Sequence, residues 1–202
     1  MPAATISLTE AQTIAALRTV LLGFLPAGIE VIRAEVNRVP EPAGADFCLL
    51  TPTTRVRLST NVDSVIDQPT ATPPVGLRSS LTAMQVTIQI DVHGPNSADN
   101  AQEIATLLRD EYATIAFARS GYDVQPLYAE DPRQTPFENA EQQYEWRWTV
   151  DAVLQANPVI GTPQDFADHV RITPINVEGA TPVAPNIAIY NRSRWNDGSV
   201  YR

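Results

Sequence analysis

From Met84 to His93 the chain alternates without interruption. Met84, Val86, Ile88, Ile90 and Val92 take one set of positions, and Gln85, Thr87, Gln89, Asp91 and His93 the other. Side chains on an extended strand point to opposite faces in turn, so this stretch predicts a strand with one face on a core and the other toward solvent or a partner. Residues 144–154 repeat the pattern. Tyr144, Trp146, Trp148, Val150, Ala152 and Leu154 share one face, and Glu145, Arg147, Thr149 and Asp151 the other. Two long strands of this kind each offer one face to a core.

Helical segments supply cover for such a face. Residues 9–25 predict a helix: Ile14, Leu17, Leu21 and Leu25 recur at helical spacing, and Thr9 with Gln12 fits a capping box. Pro26 and Gly28 stop it. A second helix is expected after the turn Gly94-Pro95-Asn96, capped by Asn96 or Ser97. Ala101, Ile104, Leu108, Tyr112 and Ile115 form its buried stripe, while Asp99, Glu103, Asp110 and Glu111 stay in water.

Further strands are expected over residues 29–39, 47–50, 55–58 and 123–128, rich in β-branched and other apolar residues. Residues 60–80, with Asn61, Asp63, Asp67, Pro69, Pro73, Pro74 and Gly76, read as a long irregular loop, and residues 130–136 as a polar loop. Strands and helices are partly segregated along the chain. The expected fold is therefore α+β, a mainly antiparallel sheet flanked by two helices. After Asn157 the prolines Pro158, Pro163, Pro174, Pro182 and Pro185 separate short apolar pieces. This divides the chain into a main domain, residues 1–157, and a proline-rich C-terminal extension, residues 158–202, expected to order against neighbouring subunits.

Composition narrows the function. The 202 residues carry 23 acidic and 14 basic side chains, a net charge of −9, and every basic one is arginine. That balance argues against ordinary nucleic-acid binding, which needs cations to neutralise phosphates. Arginine suits contacts that become buried between subunits, because its planar fork is weakly hydrated and binds carboxylates bidentately. Residues 156–202 contain four acids and four arginines, so the acidic surplus lies entirely in residues 1–155. No apolar run is long enough to span a membrane, and the N-terminus lacks the basic start of a signal peptide. The expectation is a soluble product made in the cytoplasm.

Candidate chemistry is sparse. Asp91 and His93 lie on one strand face and would suit a general base with its orienting carboxylate, as in a small acidic hydrolase. No serine, cysteine or metal-ligand set stands at a recognisable spacing beside them, and a structural or interface role is the plainer reading. The single cysteine, Cys48, sits in an apolar run and reads as a buried, inert thiol. Asp46, Asp63 and Asp67 are oxygen ligands of the kind calcium takes, but their spacing matches no calcium loop. Tyr144, Trp146 and Trp148 could stack nucleotide bases; their strict period places them in the core instead. No catalytic, cofactor or metal site is expected.

Several strings together resemble the tail terminator and neck proteins of tailed bacteriophages. They are Asn37-Arg38-Val39-Pro40-Glu41-Pro42, the run from Gln85 through His93-Gly94-Pro95-Asn96-Ser97-Ala98-Asp99-Asn100-Ala101, Arg109-Asp110-Glu111-Tyr112, Asp131-Pro132-Arg133-Gln134, and Pro136-Phe137-Glu138-Asn139-Ala140-Glu141-Gln142-Gln143-Tyr144. The resemblance covers about residues 14–157. It implies an α+β fold and a structural virion protein: a ring, hexameric in this family, that caps the tail tube and joins the tail to the head connector while DNA passes. The implied partners are further copies of the chain, the tail tube protein, connector or collar proteins and the tail sheath, with no membrane. A head-completion or collar subunit of the same neck would look alike, and an adhesion module is disfavoured by the two helices. Within this reading Glu130, Asp131, Arg133, Glu138 and Glu141 are the candidate lumen or interface residues, because an acidic channel repels DNA and lets it slide.

Overall fold

The two alternating strands pair with each other. In the computed structural model, which describes residues 4–34, 42, 44–68, 75–138 and 144–165, β6 (Met84–His93) and β11 (Arg147–Ala156) run antiparallel along their whole length, from Arg147 opposite His93 to Ala156 opposite Met84. On the other side of β6 lies β3 (Phe47–Arg57), also antiparallel, with a bulge between Pro52 and Thr54. β2 (Glu30–Arg33) joins β3 in parallel, and β7 (Val124–Ala129) and β8 (Arg133–Gln134) join β11. The resulting central sheet has the order β2-β3-β6-β11-β7.

Helices cover one face of it. α1 (Glu10–Phe24) starts at the expected capping box, with the Gln12 amide donating to the Thr9 hydroxyl and the Gln12 side chain accepting from the Thr9 amide at 2.7 Å. It buries Ile14, Leu17, Val20, Leu21 and Phe24. α2 (Ser97–Leu108) buries Ala101, Ile104, Ala105 and Leu108 against β11, β6 and β7. The sheet's contribution is Val31, Cys48, Leu50, Val86, Ile88, Ile90, Val92, Val150, Ala152 and Leu154, all within one core cluster. Each fully buried Leu or Ile contributes about 1.5–3 kcal/mol.

The second helical segment is two helices, so three stand where two were expected. α2 ends at Leu108, and Asp110 caps a new helix, α3 (Glu111–Arg119), its carboxylate accepting from the Tyr112 amide at 2.8 Å. The break resets the helical phase. Ala113 and Phe117 become the buried pair, and Tyr112 and Ile115, expected inside, are 53% and 43% exposed.

The expected loop over residues 60–80 is also corrected. β4 (Val62–Gln68) and β5 (Val75–Leu81) form an antiparallel pair, from Val62 opposite Leu81 to Gln68 opposite Val75. Polar residues that read as loop are satisfied across the strands: Asp63 accepts from Arg78 at 2.6 Å and from Ser80 at 2.5 Å. β12 (Val159–Gln164) pairs with β5, and β1 (Thr5–Ile6) with β12, giving a second sheet of order β1-β12-β5-β4. Three strands of this arm sheet continue, through short connections, from three of the central sheet: β3 into β4, β5 into β6 and β11 into β12. The strand expected over residues 47–50 and 55–58 is the single β3, and that over 29–39 is described as Glu30–Arg33, with residues 35–40 outside the described set. The extension expected from residue 158 thus begins as a sheet strand, and residues 166–202 lie outside the described set.

Candidate assembly surfaces

The face of the central sheet opposite the helices is polar and organised around Asp91. Its register places Asp91 opposite Thr149 and Gln89 opposite Asp151. The Thr149 hydroxyl donates to Asp91 Oδ1 at 2.7 Å, the Gln89 amide donates to Oδ2 at 2.8 Å, and the Arg147 guanidinium stands 3.8 Å from Oδ1. Thr135 shares a further hydroxyl contact with Thr149 at 3.1 Å. Asp91 is only 6% exposed, so the network supplies what burial takes from a carboxylate. Its neighbour His93 is buried with its ring stacked on Phe47, centroids 4.6 Å apart and planes 5° from parallel. The pair singled out for acid–base chemistry is thus built into the sheet, the carboxylate engaged by a hydroxyl and an amide, the imidazole packed on an aromatic face.

The end of β6 is held by a carboxylate from the chain before β3. Asp46 accepts from the Asn96 amide at 3.0 Å and from the Asn96 side chain at 2.8 Å. Gly94 adopts φ +103°, and a Cβ there would strike the Ala45 carbonyl oxygen and the Asp46 carboxylate. Glycine is required both by the left-handed backbone and by the close approach. Asp46 therefore braces a turn and Asp63 an arm strand, on different elements; among the described residues no cluster of three or more metal-ligating side chains forms.

Beside this turn, β9 (Phe137–Glu138) and β10 (Tyr144–Glu145) make a short antiparallel ribbon, and Gly94 donates its amide to the Trp146 carbonyl at 3.1 Å. An open cleft of about 420 Å³ lies between them, lined by Phe47, His93, Gly94, Tyr144 and Trp146 among others. Tyr144 is 80% exposed and Trp146 62%, which corrects their assignment to the core; Trp148 alone of the row packs against it. The reason is register. β6 ends at His93 opposite Arg147, so Tyr144 and Trp146 extend past the last rung of the β6–β11 ladder.

The candidate lumen residues do not form one cluster. Asp131 pairs with Arg109 of the α2 C-cap at 2.7 Å, and Arg133 on β8 pairs with Asp151 of β11 at 2.8 Å. Glu130 is exposed and anchored by its amide to the Asp151 carbonyl at 2.9 Å. Glu138 is exposed on the β9–β10 ribbon, opposite Tyr144, and Glu141 lies outside the described residues. Six arginines (33, 55, 78, 109, 133 and 147) already face carboxylates of their own chain, mostly at exposed positions where such pairs contribute little. Among the described residues Arg57 and Arg119 make no ion pair.

Cys48 is fully buried, and burial, with Asp46 nearby adding repulsion, pushes its thiol up to about 12. It is inert at neutral pH. Hydrogen bonds from Ser80 and Arg78 hold Asp63 below the usual carboxylate range. No helix among the described residues is long and apolar enough to cross a membrane.

Sequence reasoning missed the arm. Its apolar side chains Val62, Val65 and Ile66, with Val56 and Leu58 on the segment leading into it, are all 47–63% exposed. The alternation of Val62, Ser64 and Ile66 is a usable signal, masked by Asp63, Val65 and Asp67 on the other face. Residues 11–179 of the chain match the family described as phage neck terminator protein. No curated protein matches the chain.

Proposed function

Since the chain belongs to the phage neck terminator family, a structural component of the virion, we propose that it forms a closed ring, of six copies, that caps the tail tube and joins the tail to the head connector while DNA passes. The observation that carries this reading is the family match over most of the chain. The geometry supports it in two ways. Among the described residues the paired carboxylate–imidazole candidate, Asp91 with His93, is committed to packing and hydrogen bonds, which favours assembly over catalysis. The chain also presents separate, unlike surfaces, as a cyclic ring of identical subunits requires.

In this ring the exposed carboxylates Glu130 and Glu138, with Asp131, Arg133 and Glu141 on the same segment, line the channel or the adjoining subunit contact. Duplex DNA carries about one phosphate charge per 1.7 Å, so a net acidic wall leaves it unbound and able to slide. The ring's neighbours are the tail tube protein on one side and connector or collar proteins on the other, with the sheath outside the tube where the tail is contractile. Residues beyond β12 reach an adjacent subunit or the next neck ring. Their prolines and short apolar pieces suit a segment that orders on contact.

Light scattering after size exclusion, on the chain alone and mixed with assembled tail tubes, tests the reading. The expected result is a six-copy ring on its own or at the ends of tubes, seen by negative-stain microscopy. A monomer that ignores tube ends would contradict it. Separately, replacing Glu130 and Glu138 by lysine should create retention of duplex DNA at low salt; unchanged behaviour would remove these residues from the channel.

A further inference from the structure

Among the described residues the arm sheet is a single layer, one face of which carries apolar side chains that no helix packs on, Val62 and Ile66 exposed and Leu77, Leu81 and Val159 half-buried. By register, Val62, Leu81 and Val159 form one rung of that face and Ile66, Leu77 and Pro163 another, with Ser64, Ser79 and Gly161 between them. The opposite face carries the Asp63–Arg78–Ser80 cluster together with Val65, Ile160 and Ile6. None of the apolar rung residues belongs to the core cluster, and the helices pack on the central sheet and on one another. Val62 is 63% exposed and Ile66 49%.

The shape of the face defines its occupant. The two apolar rungs are four residues apart, about 13 Å along the strand, with a trough of small side chains between them. That spacing admits one helix, about 10–12 Å across with its side chains. The same chain exposes such a helix. Tyr112 and Ile115 stand one turn apart on α3, 53% and 43% exposed, with Leu22 of the adjoining α1 at 41%. Charge agrees with shape: Asp110 and Glu111 flank Tyr112, whereas the root of the arm carries Arg55 and Arg57, the latter without an ion pair among the described residues. A sheet patch and a helix ridge are unlike surfaces, so head-to-tail pairing engages every copy twice and, where the rotation closes, builds a ring.

We propose that the apolar face of the arm in one copy seats the exposed ridge of α3 in the next, with Val62, Ile66, Leu77 and Leu81 enclosing Tyr112 and Ile115. This rests on the ring reading above and names its contact. A seven-residue strand in a four-stranded sheet offers at most about 450 Å² per face, roughly half of what one partner contributes to a stable pairwise interface. Two copies alone therefore associate weakly, and closure, which engages each copy on both sides, stabilises the ring.

The test uses the full chain in three forms: unaltered, Val62→Asp with Ile66→Asp, and Tyr112→Asp with Ile115→Asp. Val62, Ile66 and Ile115 are exposed and the half-exposed Tyr112 ring rests on Phe24, centroids 5.7 Å apart, so circular dichroism of the separated monomers should be unchanged, with melting unchanged for Val62→Asp with Ile66→Asp and modestly lowered for Tyr112→Asp with Ile115→Asp. Each variant alone is expected to be monomeric by light scattering, with or without tail tubes, under conditions where the unaltered chain forms rings. An equimolar mixture of the two variants should form no ring and show only weak, concentration-dependent pairing, because one intact arm meets one intact ridge and closure is blocked. As an independent readout, a chain carrying both Val62→Cys and Ile115→Cys should form an intermolecular disulfide ladder upon oxidation. Either Asp variant assembling like the unaltered chain, or a ladder no greater than with one cysteine alone, would overturn the contact. A lowered melting point confined to the Val62→Asp, Ile66→Asp monomer would also overturn it, by showing that the chain's own residues cover the face. An unaltered chain that stays monomeric even with tubes would defeat the ring reading itself.

Discussion

Strands β6 and β4 are both alternating strands in antiparallel sheets, yet Ile88 and Ile90 on β6 are fully buried while Val62 and Ile66 on β4 are about half exposed or more. The difference lies in what the rest of the chain places over them. The central sheet receives α1, α2 and α3 on one face and closes its other face around the Asp91 network. Among the described residues no helix packs on the arm sheet. One side carries Asp63 bonded to Arg78 and Ser80, and the other is the face proposed above to seat an adjacent copy.

The largest effects should separate the two sheets. Leu17→Ala, deep under the central sheet, is expected to lower unfolding free energy by about 3–4 kcal/mol, measured by urea denaturation. Ile66→Ala in the arm should cost the monomer no more than about 0.5 kcal/mol. Comparable costs at the two sites would end the distinction. Gly94→Ala should follow, at about 2–3 kcal/mol, because the new Cβ meets the Ala45 carbonyl in a left-handed backbone. Asp91→Ala should cost about 2 kcal/mol by stripping Thr149 and Gln89 of their shared acceptor; if it is neutral, the polar face is not held together as described.

Two titrations sharpen the contrast. The folded Cys48 thiol keeps its proton to about pH 12, whereas the unfolded thiol ionises from about pH 8.5. The native state then holds the extra proton, so stability is complete below the unfolded value and falls as pH rises toward the folded one. Relative to Cys48→Ala, the chain should lose about 1.4 kcal/mol per pH unit in that window, and a thiol reagent at pH 8 should label Cys48 only after unfolding. Equal urea midpoints for both chains at pH 8 and pH 10 would show the thiol to be open to water. The smallest effect belongs to the arm. Asp63 is held below the usual carboxylate range, so its contribution exists above the unfolded value and disappears as pH falls through the folded one. Asp63→Asn should slightly lower the melting temperature at pH 7 and leave it unchanged near pH 2. A difference that persists in acid would assign the effect to packing.

What was readable from the sequence divides along the same line. Where one chain supplies both partners of a contact at regular spacing, the pattern was visible: the capping box of α1, the faces of β6, the stripe Ala101, Ile104 and Leu108, and the buried Cys48. Where pairing is made by distant segments, it was not. The aspartates of β4 look like loop residues until Arg78 and Ser80 sit opposite. Tyr112 and Ile115 continue the periodicity of α2 so neatly that the cap at Asp110 is easily overlooked, although an aspartate followed by a glutamate is itself a helix-start signal. Tyr144 and Trp146 keep the period of β11 but stand beyond its last rung. Val62, Val65 and Ile66 of the arm read as loop, and the exposed apolar residues of α3 and of the β10 region read as core, because a sequence pattern does not distinguish a face covered within the subunit from one covered by another.

The most direct test of a neck ring with bridging arms is an electron cryo-microscopy reconstruction of the virion at the junction of head and tail. The account predicts six copies of this chain in a closed ring on the end of the tail tube, each arm sheet seated on α3 of the adjacent copy. Density for the chain elsewhere in the particle, or arms that touch only their own subunit, would contradict it.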